Sequence, residues 1–326
     1  MPAPIAVSMG DPAGIGPEIT AKAWRDTTLR HPFYLIADPA CLPEGIAWRE
    51  IASPAEAAAV FGAALPVMPL ALAGQPSPGM PAPGNAAATV EAIRLAVKHA
   101  RSRSAAAVVT NPINKKVLYD GAGFAFPGHT EFLAELGKVE RSVMMIAGPS
   151  LRVVPVTIHI PLADVPAALS REAIVETARI TAKALRVDFD LPSPRLAVAG
   201  LNPHAGESGA MGREEIEIIA PALATLRAEG IDVAGPLPAD TMFHAAARSR
   251  YDAALTMYHD QGLIPVKALD FDQGVNVTLG LPFIRTSPDH GTAYDIAGTG
   301  RADSSSMIAA LNMAGDMALR RAGRNA

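Results

Sequence analysis

The chain has 326 residues, a length that favours two domains over one. Its 28 lysines and arginines nearly balance 32 aspartates and glutamates, so a nucleic-acid partner is not expected. Cys41 is the only cysteine, which excludes an internal disulfide framework and a cysteine-based zinc site. No secretory signal or membrane span is recognised, and the expectation is a cytoplasmic protein.

Short apolar runs alternate with segments of helical periodicity along the chain. In chain order the prediction is strand 5–8, helix 17–24, strands 33–37 and 65–68, helix 86–103, strand 106–110, helix 129–137, strands 143–147 and 151–158, helix 170–185, strand 196–200, helices 213–229 and 240–249, strand 253–257 and helix 304–320. Ser170 is the expected N-cap of its helix. Six prolines exclude a continuous apolar helix in the uncharged segment from Ala57 to Val90. The alternation predicts an α/β fold with a mostly parallel sheet covered on both faces.

Histidines recur after the predicted strands, at the edge where open parallel sheets bind their ligands. Three of them follow strands directly: His159, His204 and His259. Imidazoles hold Zn, Co and similar divalent ions while leaving positions for a substrate, so a shared metal site is predicted. The alternative is that each is an ordinary loop histidine, because their separations do not form a local metal motif.

Two glycine-rich segments do not match known nucleotide motifs. Gly10–Gly16 reads GxxxGxG and lacks both the GxGxxG fingerprint and the Lys-Ser/Thr of a P-loop, and Gly298–Gly300 lacks a third glycine. Tight turns explain both equally well, and a Rossmann domain of the usual kind is not predicted. Lys267, Asn276 and Arg285 follow one another at nine-residue intervals in expected loops. They suit a phosphate or carboxylate, although solvated surface charge is the simpler reading.

Several longer strings resemble those of the 4-hydroxythreonine-4-phosphate dehydrogenase family of pyridoxal phosphate biosynthesis. The strings are GDPAGIGPE (10–18), TNPINK (110–115), GHTEF (128–132), LNPHAGE (201–207), GPLPADT (235–241), MYHDQGLIPVK (257–267) and GVNVTLGLPFIRTSPDHGTA (274–293). The resemblance runs from about residue 5 to residue 320. It therefore covers nearly the whole chain with long and specific motifs.

The resemblance implies a homodimeric α/β enzyme whose active sites lie between subunits. It would oxidise the C3 hydroxyl of 4-phosphohydroxy-L-threonine with NAD or NADP, and the β-keto acid would lose CO2 to give 3-amino-2-oxopropyl phosphate. By position, the metal ligands of the family fall on the same three strand-end histidines. Its substrate contacts fall on His129, Thr130, Lys267, Asn276 and Arg285.

A wider likeness concerns the cofactor. Residues 289–303, DHGTAYDIAGTGRAD, resemble the adenosine-binding loop of isocitrate and isopropylmalate dehydrogenases, which also lack a Rossmann fingerprint. This likeness places His290, Gly291 and Asp303 near the adenine and Asp295 near the base of the loop. It also implies a discontinuous split, with residues 1–135 and 280–326 in one domain and 136–279 in the other.

The implied chemistry needs a divalent metal (Zn, Co or Mg) as Lewis acid and a proton acceptor, for which Lys267 and Asp240 are the candidates. One alternative is a paralogous dehydrogenase acting on D-threonate 4-phosphate, D-erythronate 4-phosphate or a cis-dihydrodiol. A second is a phosphate acyltransferase, which has a related fold but needs no metal and no histidine triad. A binding module without catalytic activity would not need the triad either.

Overall fold

A computed structural model of the chain describes residues 3–324. Its strands are β1 (Ile5–Ser8), β2 (Phe33–Ala37), β3 (Trp48–Glu50), β4 (Leu65–Pro69), β5 (Val108–Thr110), β6 (Val143–Ala147), β7 (Arg152–Thr157), β8 (Arg195–Ala199), β9 (Asp232–Leu237), β10 (Ala253–Tyr258), β11 (Val275–Leu279) and β12 (Arg285–Pro288). Its helices are α1 (Gly16–Arg25), α2 (Ala57–Val60), α3 (Ala86–Arg101), α4 (Lys115–Ala122), α5 (His129–Gly137), α6 (Val165–Ala168), α7 (Arg171–Asp188), α8 (Ala220–Ala228), α9 (Ala245–Arg248), α10 (His259–Asp270) and α11 (Ser305–Arg324).

The chain divides into two compact units. Unit 1 comprises Met1–Ser142 and Leu281–Ala326, and unit 2 comprises Val143–Gly280. The strands of unit 1 run β3-β4-β2-β1-β5-β12 and pair in parallel. β1 and β2 are buried throughout, which accounts for their continuous apolar sequences.

In unit 2 the strands run β11-β6-β7-β10-β8-β9. The pairs β7–β10, β10–β8 and β8–β9 are parallel, whereas β11–β6 and β6–β7 are antiparallel. Apolar side chains of β6, β7, β8 and β10 form one core with Leu263 and Val266 of α10. The predicted mostly parallel α/β fold is confirmed. No helix within residues 3–324 is long and apolar enough to span a membrane.

The sequence prediction of elements was wrong in the region after β10, and it also left out β3, β9, α2, α4 and α6. His259–Asp270 forms a helix although the segment contains Gly262 and Pro265, both unfavourable in helices. Packing against β10 outweighs this propensity. A Cβ on Gly262 would lie 2.7 Å from Thr256 Oγ1, so glycine is the residue that lets the helix lie this close to the strand. Asn276 and Arg285 lie in strands β11 and β12, not in loops.

Two predicted helices are also shorter or differently wound. The segment 213–229 begins with a π-helical turn, Glu215–Ile219, which continues into α8. The segment 240–249 contains a 3-10 turn, Ala239–Thr241, and the single turn of α9. Ser170 caps α7 as predicted, since its Oγ accepts the Ala173 amide at 3.1 Å.

Candidate active site

The glycine loop, Gly10–Gly16, follows β1 in unit 1. Gly10 adopts a φ of +72°, and a Cβ there would lie 2.5 Å from the carbonyl oxygen of Pro112. A Cβ on Gly16 would lie 2.8 Å from the carbonyl oxygen of Met9. Asn111 bonds to both flanks, since its Nδ2 donates to Ser8 O at 3.1 Å and to Thr20 Oγ1 at 2.8 Å. The glycines therefore permit a close approach of the backbone to the strand-end segment after β5.

The glycine loop is also bonded to the predicted cofactor loop, residues 289–303. Asp11 is buried, and its Oδ2 accepts a 2.7 Å hydrogen bond from the hydroxyl of Tyr294. Burial, followed by this bond to Asp11, raises the pKa of the Tyr294 hydroxyl. The amide of Ile15 donates to Thr292 O at 3.0 Å. Ala293, between these contacts, has a φ of +43°, a conformation that such neighbours must hold in place.

The four predicted cofactor residues all lie on this loop. His290 Nδ1 contacts Gly291 O at 3.0 Å, while Nε2 is buried with no hydrogen-bond partner among the described residues. Asp303 accepts the Ser305 amide at 2.6 Å, and bonds from Ser305 chiefly lower its pKa, with a smaller contribution from nearby His290. Asp295 is exposed. His290 and Asp303 are thus brought near each other.

A buried cationic group in unit 1 contains two of the predicted substrate residues. Arg285 is 2% exposed, and its Nη2 donates to Thr110 Oγ1 at 2.6 Å. Burial lowers the pKa of Arg285 to about 9, which still leaves it charged at neutral pH. The pKa of His129 lies well below its usual value because of burial, and then because of Arg285 and Lys115. His129 Nε2 has no hydrogen-bond partner in the described chain. Thr130 follows on α5 and is half-buried.

The remaining predicted substrate and acid–base residues belong to unit 2. Asn276 is half-buried in β11 opposite Ile146, and its Oδ1 is buried without a partner in residues 3–324. Lys267 is half-buried on α10, about 12 Å along the helix axis from His259 at the usual rise per residue. Asp240 is exposed in the 3-10 turn after β9.

The three predicted metal histidines follow adjacent parallel strands of unit 2. The rings of His159 and His259 lie 5.7 Å apart between centroids, because Thr157 and Tyr258 are paired at the ends of β7 and β10. His204 follows β8, on the other side of β10, in a left-handed turn (His204–Ser208) whose five residues all have positive φ. Within residues 3–324, no three His, Cys, Asp or Glu side chains form a group that could hold a metal ion.

The donor chemistry of these histidines nevertheless suits a divalent metal. His259 Nδ1 contacts Asp260 Oδ1 at 2.7 Å, which fixes the ring and leaves Nε2 available as a ligand. Metal-bound histidines commonly have such a carboxylate partner on the other ring nitrogen. Two imidazoles thus lie together, and the third is on a neighbouring strand end.

Some residues of the site were not recognised as functional from the sequence. Asn111 and Lys115 lie within the TNPINK string, and Tyr294 lies within the cofactor loop, but no residue type there indicates a role by itself. The signal available was their place in strings that follow strands β5 and β12, at the ligand-binding edge of the sheet.

The site and the fold have counterparts among known proteins. A 4-hydroxythreonine-4-phosphate dehydrogenase of Ruegeria sp. (strain TM1040) is 56% identical to the chain over 320 residues, 98% of each protein. The crystal structure of 4-hydroxythreonine-4-phosphate dehydrogenase from Klebsiella pneumoniae superposes with a TM-score of 0.88 at 40% identity, covering 98% of both chains. A terephthalate 1,2-cis-dihydrodiol dehydrogenase from Burkholderia xenovorans LB400 has a TM-score of 0.68 at 29% identity, covering 97% of this chain and 98% of that chain.

The fold and these relatives define the protein as an α/β dehydrogenase, an enzyme of the oxidoreductase class. The chain also matches, over residues 29–314, the family model described as pyridoxal phosphate biosynthetic protein PdxA. It belongs to this family, and the resemblance inferred from its sequence strings is confirmed.

Proposed function

We propose that the chain oxidises 4-phosphohydroxy-L-threonine with NAD or NADP, in the cytoplasmic pathway to pyridoxal phosphate. The hydride leaves C3 for the nicotinamide, and the hydroxyl proton goes to a base on the protein. The resulting β-keto acid loses CO2, whose bonding electrons stay on C2 until that carbon takes a proton. The product is 3-amino-2-oxopropyl phosphate.

The observation that carries this proposal is a set of buried polar atoms without partners. His129 Nε2, Asn276 Oδ1 and His290 Nε2 are enclosed but make no hydrogen bond among the described residues. Buried polar atoms in folded proteins are nearly always bonded, and each exception needs an explanation, such as a catalytic role or a water or ion that completes the bonding. These three atoms belong to residues that the family resemblance assigns to substrate or cofactor, whereas other such atoms, Ser8 Oγ and Asn111 Oδ1, belong to residues without an assigned role.

Unit 1 offers a binding place for an anionic group. Arg285 supplies a buried positive charge with planar donors, the geometry that suits phosphate and carboxylate. Because His129 stays neutral beside Arg285 and Lys115, its ring can hydrogen-bond a substrate without adding a further charge. Thr130 adds a hydroxyl at the start of α5, where the backbone amides also favour an anion. Lys267 and Asn276 of unit 2 are the further proposed contacts.

The proposed metal ligands are His159, His204 and His259. When bound, a divalent ion (Zn, Co or Mg) would supply Lewis-acid polarisation of substrate oxygens, and the nicotinamide would accept a hydride. The residues of the chain orient these partners, since Asp260 fixes the His259 ring. His290, Gly291, Asp295 and Asp303 are the proposed contacts for the adenosine part of NAD or NADP.

The base that takes the hydroxyl proton is proposed to be Lys267 or Asp240, and one pair of variants separates them. If Lys267 is the base, Lys267→Ala lowers kcat while KM for substrate stays near its original value. If Lys267 only anchors the substrate, the same variant raises KM and leaves kcat nearly unchanged. In the second case Asp240→Asn is expected to lower kcat.

We propose that the active form is a homodimer with its active sites between subunits. Large apolar side chains of unit 2 are exposed in the segment after β7 and on and after α10: Leu162 is 68% exposed, Ile264 is 66% exposed and Phe271 is 75% exposed. An interface with a second copy would bury such side chains. A second copy covering this face would also bring further side chains to the three histidines, which do not form a closed ligand set in the described part of one chain.

The test is a substrate screen with the purified protein, following NADH or NADPH formation. The substrates are 4-phosphohydroxy-L-threonine, D-threonate 4-phosphate, D-erythronate 4-phosphate and a cis-dihydrodiol, each with and without a chelator. We expect 4-phosphohydroxy-L-threonine to react fastest. Its oxidation should stop on chelation and resume when Zn or Co is added. A higher kcat/KM for another substrate would identify a paralogous dehydrogenase, and indifference to chelation would refute the metal site. No reaction with any of them would favour an acyltransferase or a binding module.

A further inference from the structure

The left-handed turn that carries His204 has a backbone that folded proteins seldom adopt. The φ angles of His204, Ala205, Gly206, Glu207 and Ser208 are +52°, +52°, +79°, +42° and +57°. Four of these five residues have a Cβ, and each such residue costs roughly 1–2 kcal/mol in the left-handed helical region. Neighbouring side chains are therefore needed to hold this backbone conformation in place.

Glu215 packs against the turn and bonds to Asn202, two residues before it. The side chain is 3% exposed, its Oε1 accepts the backbone amide of Asn202 at 2.7 Å, and its Oε2 accepts Asn202 Nδ2 at 3.0 Å. The same Nδ2 donates to Glu214 Oε2 at 2.7 Å. Asn202 is therefore fixed on both its backbone and its side chain, two residues before His204.

The Glu215 carboxylate also contacts the two glycines that flank this position. A Cβ on Gly200 would lie 3.0 Å from Glu215 Oε1, and a Cβ on Gly206 would lie 2.6 Å from Oε2. The carboxylate thus spans from the end of β8 to the middle of the left-handed turn. A neutral apolar side chain could fill this space but could not accept the two amide hydrogen bonds.

Glu215 is the first residue of the π-helical turn that leads into α8. Such wide turns are uncommon and occur frequently at functional sites. Burying a carboxylate costs free energy unless its hydrogen bonds are satisfied, so a buried glutamate bonded to amides indicates a requirement for one conformation. Glu217, on the same turn, shows the ordinary alternative, because its exposed carboxylate pairs with Arg213.

We propose that Glu215 is a positioning residue that holds the left-handed turn and thereby sets the place of the His204 imidazole. It acts through Asn202 and through its contact with Gly206, and it does not itself touch the ligand. Metal binding by His204 rests on the proposed function. The role of Glu215 in holding the turn does not depend on that function.

The experiment compares Glu215→Gln with Glu217→Gln, a control on the same turn whose carboxylate is exposed. The first readout is hydrogen–deuterium exchange of the metal-free protein. The amides of Ala205, Ala210 and Met211 are hydrogen-bonded within this segment, so we expect their exchange to become at least about tenfold faster in Glu215→Gln. Glu217→Gln should exchange as the original protein does.

The second readout is the affinity for Co or Zn alone, measured by calorimetry. Removing an outer partner of a metal site typically weakens binding 10- to 100-fold, and this is the loss expected for Glu215→Gln but not for Glu217→Gln. If exchange and affinity are both unchanged in Glu215→Gln, the proposal is wrong.

If the original protein binds no metal, the metal assignment fails and exchange alone decides the role of Glu215. If Glu215→Gln does not fold, Asn202→Ala replaces it, with faster exchange expected in the same amides and unchanged exchange refuting the proposal.

Discussion

The glycine loop after β1 and the left-handed turn after β8 are both tight connections at the ligand-binding ends of parallel strands. Gly10–Gly16 is wholly buried and has glycine at three positions where a Cβ would lie within about 3 Å of a backbone oxygen. His204–Ser208 is mostly exposed and uses glycine at only one of five left-handed positions. The two loops therefore reach unusual backbone geometry by different means.

The difference follows from what each loop has to present. The backbone of the glycine loop packs against the segment after β5 and against the cofactor loop. Side chains in place of its glycines would clash with these segments. Under the proposed function the left-handed turn presents the His204 imidazole, which glycine cannot supply. A residue with a side chain then occupies the strained position. The buried Glu215 stabilises this backbone conformation through its hydrogen bond with the Asn202 amide.

The largest expected effect comes from placing a methyl group in the glycine loop. Gly10→Ala combines a positive φ with a Cβ 2.5 Å from a backbone oxygen, and we expect it to lower the free energy of unfolding by about 3–4 kcal/mol. Gly45→Ala is the matched control, because Gly45 has a φ of +74° and nothing within 4 Å of its Cβ position. It should lose only about 1 kcal/mol in urea unfolding. Equal losses of stability in the two variants would show that the nearby carbonyl oxygen of Pro112 adds nothing to the cost of a Cβ at Gly10.

A slightly smaller effect is expected from Arg285→Lys, which tests whether the buried cation of unit 1 recognises an anion by its planar donors. Lysine keeps the charge but cannot reproduce the guanidinium geometry, so kcat/KM for the phosphorylated substrate should fall about 100-fold. Arg49→Lys, at an exposed position of β3, should leave kcat/KM unchanged. A loss of less than threefold, about 0.7 kcal/mol, would remove Arg285 from the substrate site.

The burial of His129 in unit 1 also predicts that the free energy of unfolding depends on pH. The folded pKa of His129 lies well below the unfolded value of 6.5, so below pH 6.5 the unfolded state binds a proton that the folded state does not. The free energy of unfolding should therefore fall as pH drops below 6.5, by at most about 1.4 kcal/mol per pH unit from this group. The His129→Gln variant should lose this component, whereas His244→Gln, at an exposed histidine, should retain it. Identical pH profiles for the two variants would contradict the assignment.

The smallest effect concerns strain in the left-handed turn. Ser208 is exposed with a φ of +57°, so Ser208→Gly should relieve strain and raise the free energy of unfolding by about 0.5 kcal/mol after the entropy cost of glycine. Ser208→Ala keeps the Cβ and should show no gain. If glycine is no better than alanine at this position, the turn is not strained and the contrast with the glycine loop disappears.

The sequence predicted most strands because their apolar runs are short and continuous. Ile5–Ser8, Phe33–Ala37 and Val143–Ala147 have the predicted bounds. β3 and β9 were not predicted. β11 and β12 were missed because Asn276 and Arg285 look like loop residues, and α10 was missed because of Gly262 and Pro265. In these last three elements packing outweighs local propensity, and packing is not visible in a single sequence.

The candidate site was predicted through its strand-end histidines and through the family strings, which gave residue types and approximate positions. The contribution of Glu215 was not predictable, because a glutamate in a helical segment reads as surface charge. The bond between Asp11 and Tyr294 joins residues 283 apart in the chain, and no local pattern indicates it. Sequence thus indicated candidate functional residues more readily than the residues that hold them in place.

The most direct test of the proposed reaction is its stoichiometry with 4-phosphohydroxy-L-threonine. The purified, metal-loaded protein is given a limiting amount of this substrate, and NADH or NADPH and released CO2 are measured together. We expect one reduced cofactor and one CO2 for each substrate consumed, with 3-amino-2-oxopropyl phosphate as the product. Reduced cofactor without CO2, or consumption of substrate without reduced cofactor, would contradict the proposed reaction.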